Sequence, residues 1–125
     1  MAPGVTPAAV EKKRILYVED DRDVARLTKL MLERKRPYDV RVETDSRKAL
    51  GTAQTFHPDV VLLDMIMPDM DGGDVAHQLR EDADLKAVPI IFLTAVAKPI
   101  AGFPFLSKPV SIEDVIACIE EHMLT

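Results

Sequence analysis

Two acidic segments stand where short apolar runs stop. Ile15-Leu-Tyr-Val18 ends in Glu19-Asp20-Asp21, and Val60-Val-Leu-Leu63 ends in Asp64, followed by the turn-rich Met67-Pro-Asp-Met-Asp-Gly-Gly73. Thr94 closes a third run, Ile90-Ile-Phe-Leu93, and Lys108 follows Phe103-Pro-Phe-Leu106. An apolar run that gives way abruptly to charge reads as a buried parallel strand ending at an active edge. Carboxylates gathered at one edge repel, raise one another's pKa and destabilise the empty site, so a cluster of them calls for a compensating cation. Hard oxygen ligands from a few carboxylates suit magnesium.

The elements that must gather these residues are legible in the pattern between them. From Asp23 to about Arg36, the residues Val24, Leu27, Leu30 and Met31 fall at helical spacing, and Pro37 provides a stop. This spacing predicts a first helix with those four residues on its apolar face. Val40 and Val42 alternate with Arg41 and Glu43 as a half-exposed edge strand would. Asp45 or Ser46 can then cap a helix carrying Ala49, Leu50, Ala53 and Phe56. A third helix carries Val75, Ala76 and Leu79, and Phe103 to Leu106 can form a fifth strand. Ser111 caps a last helix whose Ile112, Val115, Ile116, Ile119 and Met123 form one apolar stripe. Strands alternating with helices predict an α/β fold, a flavodoxin-like doubly wound parallel five-stranded sheet of order 2-1-3-4-5. In that order the first strand lies beside the third, and Glu19, Asp20 and Asp64 converge at the carboxyl edge where such sheets bind ligands.

The 125 residues, 47% of them hydrophobic, suffice for one core and not two, which predicts a flexible tail over 1–13 and a single domain over 14–125. A net charge of −5 offers no basic field for a nucleic-acid backbone, so no direct nucleic-acid partner is expected. No apolar run approaches the roughly 18–20 residues needed to cross a bilayer, and no membrane association is expected. The single cysteine, Cys118, cannot form an internal disulfide and fits a cytoplasmic location. His57, His77 and His122 have no nucleophile pattern around them and read as surface residues, and Asp69 and Asp71 read as shaping a turn.

Four motifs in order, Ile15-Leu-Tyr-Val-Glu-Asp20, Asp64-Met-Ile-Met-Pro-Asp-Met-Asp-Gly72, Thr94-Ala95 and Phe105-Leu-Ser-Lys-Pro109, resemble those of bacterial response-regulator receiver domains of two-component phosphorelay signalling. The resemblance runs from Ile15 to Met123. It implies a phosphoprotein and not an enzyme: Asp64 accepts a phosphoryl group from a sensor histidine kinase or histidine phosphotransfer protein, with at most slow intrinsic autophosphatase activity. It implies Mg2+ held by Asp20, Asp64 and the Ile66 backbone carbonyl, with Glu19 acting through a bound water. It further implies that Lys108 and Thr94 stabilise the phosphoryl group, that Thr94 and Phe105 form the switch, and that the Lys108-Pro109 bond is cis. A downstream protein target would read the switched surface.

The sequence departs from that family between Thr94 and Lys108, where it is about two helical turns short. Pro99, Gly102 and Pro104 disfavour a regular helix there, so the helix that the family places between its fourth and fifth strands is expected to be short or missing, and the output face altered. Ile66 and Val96, two residues after Asp64 and Thr94, are aliphatic and cannot orient a hydrolytic water, which predicts a long-lived phosphoryl group. The alternative function is a degenerate receiver acting as a phosphorylation-independent interaction module. A dehalogenase-type phosphohydrolase would need an Asp where Ile66 stands, and a flavodoxin-like cofactor binder would need a phosphate loop after the first strand.

Overall fold

A computed structural model describes residues 12–95 and 102–123 of the chain. Five strands form one parallel sheet: β1 (Lys13–Val18), β2 (Tyr38–Glu43), β3 (Val60–Asp64), β4 (Ile90–Thr94) and β5 (Phe105–Ser107), in the spatial order β2-β1-β3-β4-β5. This is the flavodoxin-like order expected from the alternation. Four α-helices are found among the described residues: α1 (Arg22–Lys35), α2 (Ala49–Phe56), α3 (Gly72–Glu81) and α4 (Ile112–His122). None of them lies between β4 and β5, and residues 96–101, on which much of the expected shortening falls, are outside the described set. The expected tail likewise falls largely outside it, and β1 begins at Lys13, the last residue assigned to that tail.

The sheet separates two apolar layers because its central strands are buried on both faces, as their unbroken runs of Val, Leu and Ile require. On one side Leu16, Val18, Val61, Leu63 and Phe92 pack with α2 and α3 through Ala53, Phe56, Val75 and Leu79. On the other, Ile15, Tyr17, Leu62, Ile91 and Leu93 pack with Leu32 of α1 and with Ile112, Val115, Ile116 and Ile119 of α4. Short polar side chains fix where the helices begin. Asp21 caps α1 through the amides of Asp23 and Val24, Asp71 and Asp74 cap α3 reciprocally, and Ser111 caps α4 through the amide of Asp114. Asp45 caps a 3₁₀ turn over Ser46–Lys48 that leads directly into α2.

The expected apolar face of α1 is corrected. Val24, Leu27, Leu30 and Met31 are all exposed, Leu27 at 59%, while Ala25 and Leu32 are buried and Thr28 and Lys29 half-buried. The buried stripe has the same helical spacing, offset by one residue. Its polar members find partners: Lys29 Nζ donates to the Val40 carbonyl at 2.7 Å and to Glu33 at 2.8 Å. Leu27→Ser is therefore expected to change stability by no more than about 0.5 kcal/mol, whereas Leu32→Ala should cost about 2–5 kcal/mol. Urea unfolding of the two variants distinguishes the observed phase from the one hydropathy suggests, since the opposite ranking would restore the latter.

The fifth strand is also shifted from the expected Phe103–Leu106 to Phe105–Ser107. Phe103 instead meets Phe92 edge-on at 5.5 Å between ring centroids, with the Arg80 guanidinium 5.0 Å from its own ring centre.

Candidate phosphoacceptor site

Parallel pairing places Val18 opposite Leu63 and Asp64 opposite Leu93, so the residues just past β1 and at the end of β3 emerge side by side. One carboxylate oxygen from each of Glu19, Asp20 and Asp64 lies within 4.8 Å of the others. Asp20 is exposed, while Glu19 and Asp64 are buried, at 2% and 7%. Thr94, at 1% exposure, ends the neighbouring strand, and its carbonyl accepts from the Lys108 amide at 2.7 Å. The Lys108-Pro109 peptide is cis, as expected.

Lys108 does not sit midway between the acids. Its Nζ donates to Glu19 Oε1 at 2.6 Å and is 3.8 Å from Asp64 Oδ1. The tight partner is thus the carboxylate beside Asp64. Burial by itself would raise the Glu19 carboxyl, but the Lys108 ammonium and the Asp21 amide outweigh it and hold the group below the usual carboxylate range. Asp64 behaves oppositely. Burial and then the Glu19 charge push it up to about 6, with Lys108 only partly offsetting them. Two buried carboxylates and an exposed one, short of positive charge and offering only hard oxygens, fit a divalent cation such as Mg2+.

The turn after β3 positions the edge from below. Asp69 takes a positive φ of 70°, Asp71 caps α3, and the Gly72 amide donates to the Met65 carbonyl at 2.8 Å. Both aspartates therefore shape this turn. Gly72 packs so close to the Asp64 carbonyl that a Cβ would collide with it, and would lie 2.9 Å from Met65 Cα. Gly72→Ala must displace the backbone that carries Asp64, and we expect it to destabilise the chain by about 1–3 kcal/mol, measured by urea unfolding. A neutral result would show that the turn can yield.

Ile66 is 62% exposed beside the edge and presents an aliphatic side chain, whereas Val96 lies outside the described residues. Phe105 is half-buried against the α2–α3 layer. His57 and His77 are exposed, and half-buried His122 accompanies Cys118 at the end of α4, away from the acidic edge. Sequence reasoning missed Tyr17, whose hydroxyl donates to Glu19 Oε1 at 3.1 Å. The only available signal was a phenol two residues before an acid, which strand alternation turns to the same face. It also missed an apolar groove of about 510 Å³ beside Lys108, lined by Tyr17, Val24, Leu27, Met31, Val110 and Val115.

A family model described as the response regulator receiver domain matches residues 15–120. The chain belongs to the response regulator receiver family. Among curated relatives, the DNA-binding response regulator MtrA of Mycobacterium leprae is 40% identical over 90% of this chain and 52% of its own length. The DNA-binding dual master transcriptional regulator RpaA of Synechocystis is 33% identical over 83% of this chain and 46% of its own length. The chain thus spans about half the length of the curated relatives it matches. Among solved structures, the chemotaxis protein CheY4 of Vibrio cholerae superposes with a TM-score of 0.83 at 25% identity, covering 90% of this chain and all of the other. The receiver domain of the sensor histidine kinase PA1611 from Pseudomonas aeruginosa has a TM-score of 0.79 at 27% identity over 90% of this chain and 98% of its own, and that protein holds a magnesium ion in its active-site cleft. No helix among the described residues is long and apolar enough to cross a membrane.

Proposed function

We propose that this receiver accepts a phosphoryl group on Asp64 from a sensor histidine kinase or a histidine phosphotransfer protein in the cytoplasm, in a Mg2+-dependent reaction. The observation that carries this reading is the Glu19, Asp20 and Asp64 cluster with Lys108 beside it. Asp20, Asp64 and the Ile66 carbonyl would hold the ion directly and Glu19 through water. When bound, the ion neutralises the acids and the incoming phosphoryl oxygens.

The remaining work falls to the chain. A carboxylate oxygen of Asp64 attacks the phosphorus, the bond from phosphorus to the donor's imidazole nitrogen breaks, and its electron pair returns to the ring. Lys108 needs only a small displacement to move from Glu19 to the new phosphoryl oxygens, given its 3.8 Å separation from Asp64. Thr94 supplies a hydroxyl to the same group from the next strand. Its approach, with half-buried Phe105 turning inward, transmits the added charge to the surface that a downstream protein reads. Exposed aliphatic Ile66 leaves attacking water without an orienting group, which makes hydrolysis of the phosphoryl group slow.

The test is intact mass after incubation with acetyl phosphate, with and without Mg2+, beside Asp64→Asn. A Mg2+-dependent adduct on the wild type alone is expected, and it should persist well beyond seconds after the donor is removed. Absence of an adduct, from acetyl phosphate and from a phosphorylated histidine kinase alike, would overturn the proposal in favour of a phosphorylation-independent interaction module.

A further inference from the structure

Glu19 is the most enclosed of the acidic groups, with 3% of its side chain exposed against 10% for Asp64. Both of its oxygens are held by donors of the chain. Oε1 accepts from Lys108 Nζ and from the Tyr17 hydroxyl, and Oε2 accepts from the Asp21 amide at 3.3 Å. Thr28 of α1 lines the same groove as Tyr17, and the hydrogen bonds of the Tyr17 hydroxyl and of Lys108 meet on one Glu19 oxygen, tying β1 to the acidic edge.

The arrangement has a consequence once Asp64 carries a phosphoryl group. Lys108 is the ammonium placed to meet the new charge, and meeting it draws Nζ away from Glu19. A buried carboxylate that loses a charged donor is destabilised unless other donors remain. Tyr17, itself 1% exposed, cannot swing away from Glu19 without opening the sheet face.

We propose that Tyr17 is a positioning residue, its phenol holding the Glu19 carboxylate in place while Lys108 moves from Glu19 to the Asp64-bound phosphoryl group, and so keeping the acidic cluster set for Mg2+. The inference rests on the Mg2+-dependent phosphoacceptor reading above.

The experiment measures Mg2+ affinity by amide NMR titration of the wild type, Tyr17→Phe, Glu19→Ala and the double variant. Loss of a hydrogen-bond partner behind a metal-site residue commonly costs 10- to 100-fold in affinity, and a roughly tenfold loss is expected for Tyr17→Phe. With Glu19→Ala already present, the same change should cost less than about twofold, because the acceptor of the phenol is gone. A merely structural role would weaken both backgrounds equally, and that result overturns the proposal, as does unchanged affinity in Tyr17→Phe. Should Tyr17→Phe unfold, the Tyr17 ring resonances of the wild type are followed through the Mg2+ titration instead; ring shifts that saturate with the ion support the proposal, and an unmoved ring overturns it. A wild type that binds no Mg2+ overturns the phosphoacceptor reading together with this one, whereas a binding wild type with an unaffected Tyr17→Phe overturns the role of Tyr17 alone.

Discussion

Asp64→Asn, although it removes the proposed phosphoacceptor, is expected to make the metal-free chain more stable at pH 7.5. Burial and the neighbouring Glu19 charge hold the Asp64 carboxyl at about 6 in the folded chain, against an ordinary 3.8. A folded-state pKa raised in this way gives stability that is fully present below the unfolded value and is lost as pH rises through about 6. At about 1.4 kcal/mol per tenfold change in proton affinity, the full loss by neutral pH is about 3 kcal/mol. Asn keeps the shape and removes the charge, so a gain on the order of 2 kcal/mol, or roughly 5–10 °C in melting temperature, should follow. The gain should shrink toward pH 4, where wild-type Asp64 is largely protonated. It should shrink also when Mg2+ is added, because the ion stabilises the wild type more. Thermal melts of both proteins across this pH range check the prediction. A variant no more stable than the wild type at pH 7.5, or a gain independent of pH, would show that the acidic edge carries no strain.

Lys108→Met should have the opposite effect on stability and a severe one on phosphotransfer. It leaves Glu19 buried with only the Tyr17 hydroxyl and the Asp21 amide as donors. Breaking a buried pair by removing one partner commonly costs about 3–5 kcal/mol, and the remaining donors place this case near the lower end. Phosphoryl uptake should fall by about 100-fold or more, the usual cost of removing a group that stabilises developing charge. The two effects separate in the Lys108→Met, Glu19→Gln double variant. Neutralising Glu19 removes the uncompensated charge and restores most of the stability, while uptake stays low because the ammonium is still missing. Chemical unfolding and acetyl phosphate uptake, measured on the wild type, Lys108→Met, Glu19→Gln and the double variant, test this. Recovery of uptake in the double variant would mean that Lys108 acts only through Glu19.

Much of this molecule was legible before its structure. Unbroken apolar runs at 15–18, 60–63 and 90–93 mark strands buried on both faces, because only covered parallel strands dispense with alternation. Ser111 marks the entry of α4, because a short side-chain oxygen can bind amides that the helix leaves unpaired, whereas Asp45 caps the 3₁₀ turn before α2 and α2 itself starts without a side-chain cap. Charge at the ends of those runs, together with the strand order that alternation implies, was enough to bring Glu19, Asp20 and Asp64 to one edge.

Tertiary structure decided what depends on partners distant in sequence. The phase of α1 departs from the one hydropathy predicts, because hydropathy favours Val24, Leu27 and Met31 over a stripe containing Thr28 and Lys29. Lys29 can occupy the inner face because the Val40 carbonyl and Glu33 receive its ammonium, contacts that hydropathy does not register. Phe103 left the expected strand because Phe92 and Arg80 offered its ring edge and face contacts that no local pattern encodes. Which residues reach the acidic edge follows from strand periodicity and strand order, which are local and combinatorial properties of the chain. Only the folded chain decided that Lys108 clasps Glu19 more tightly than Asp64 and that Tyr17 shares the same oxygen, because hydrogen bonds between side chains are settled by distances of a few tenths of an ångström across separate strands.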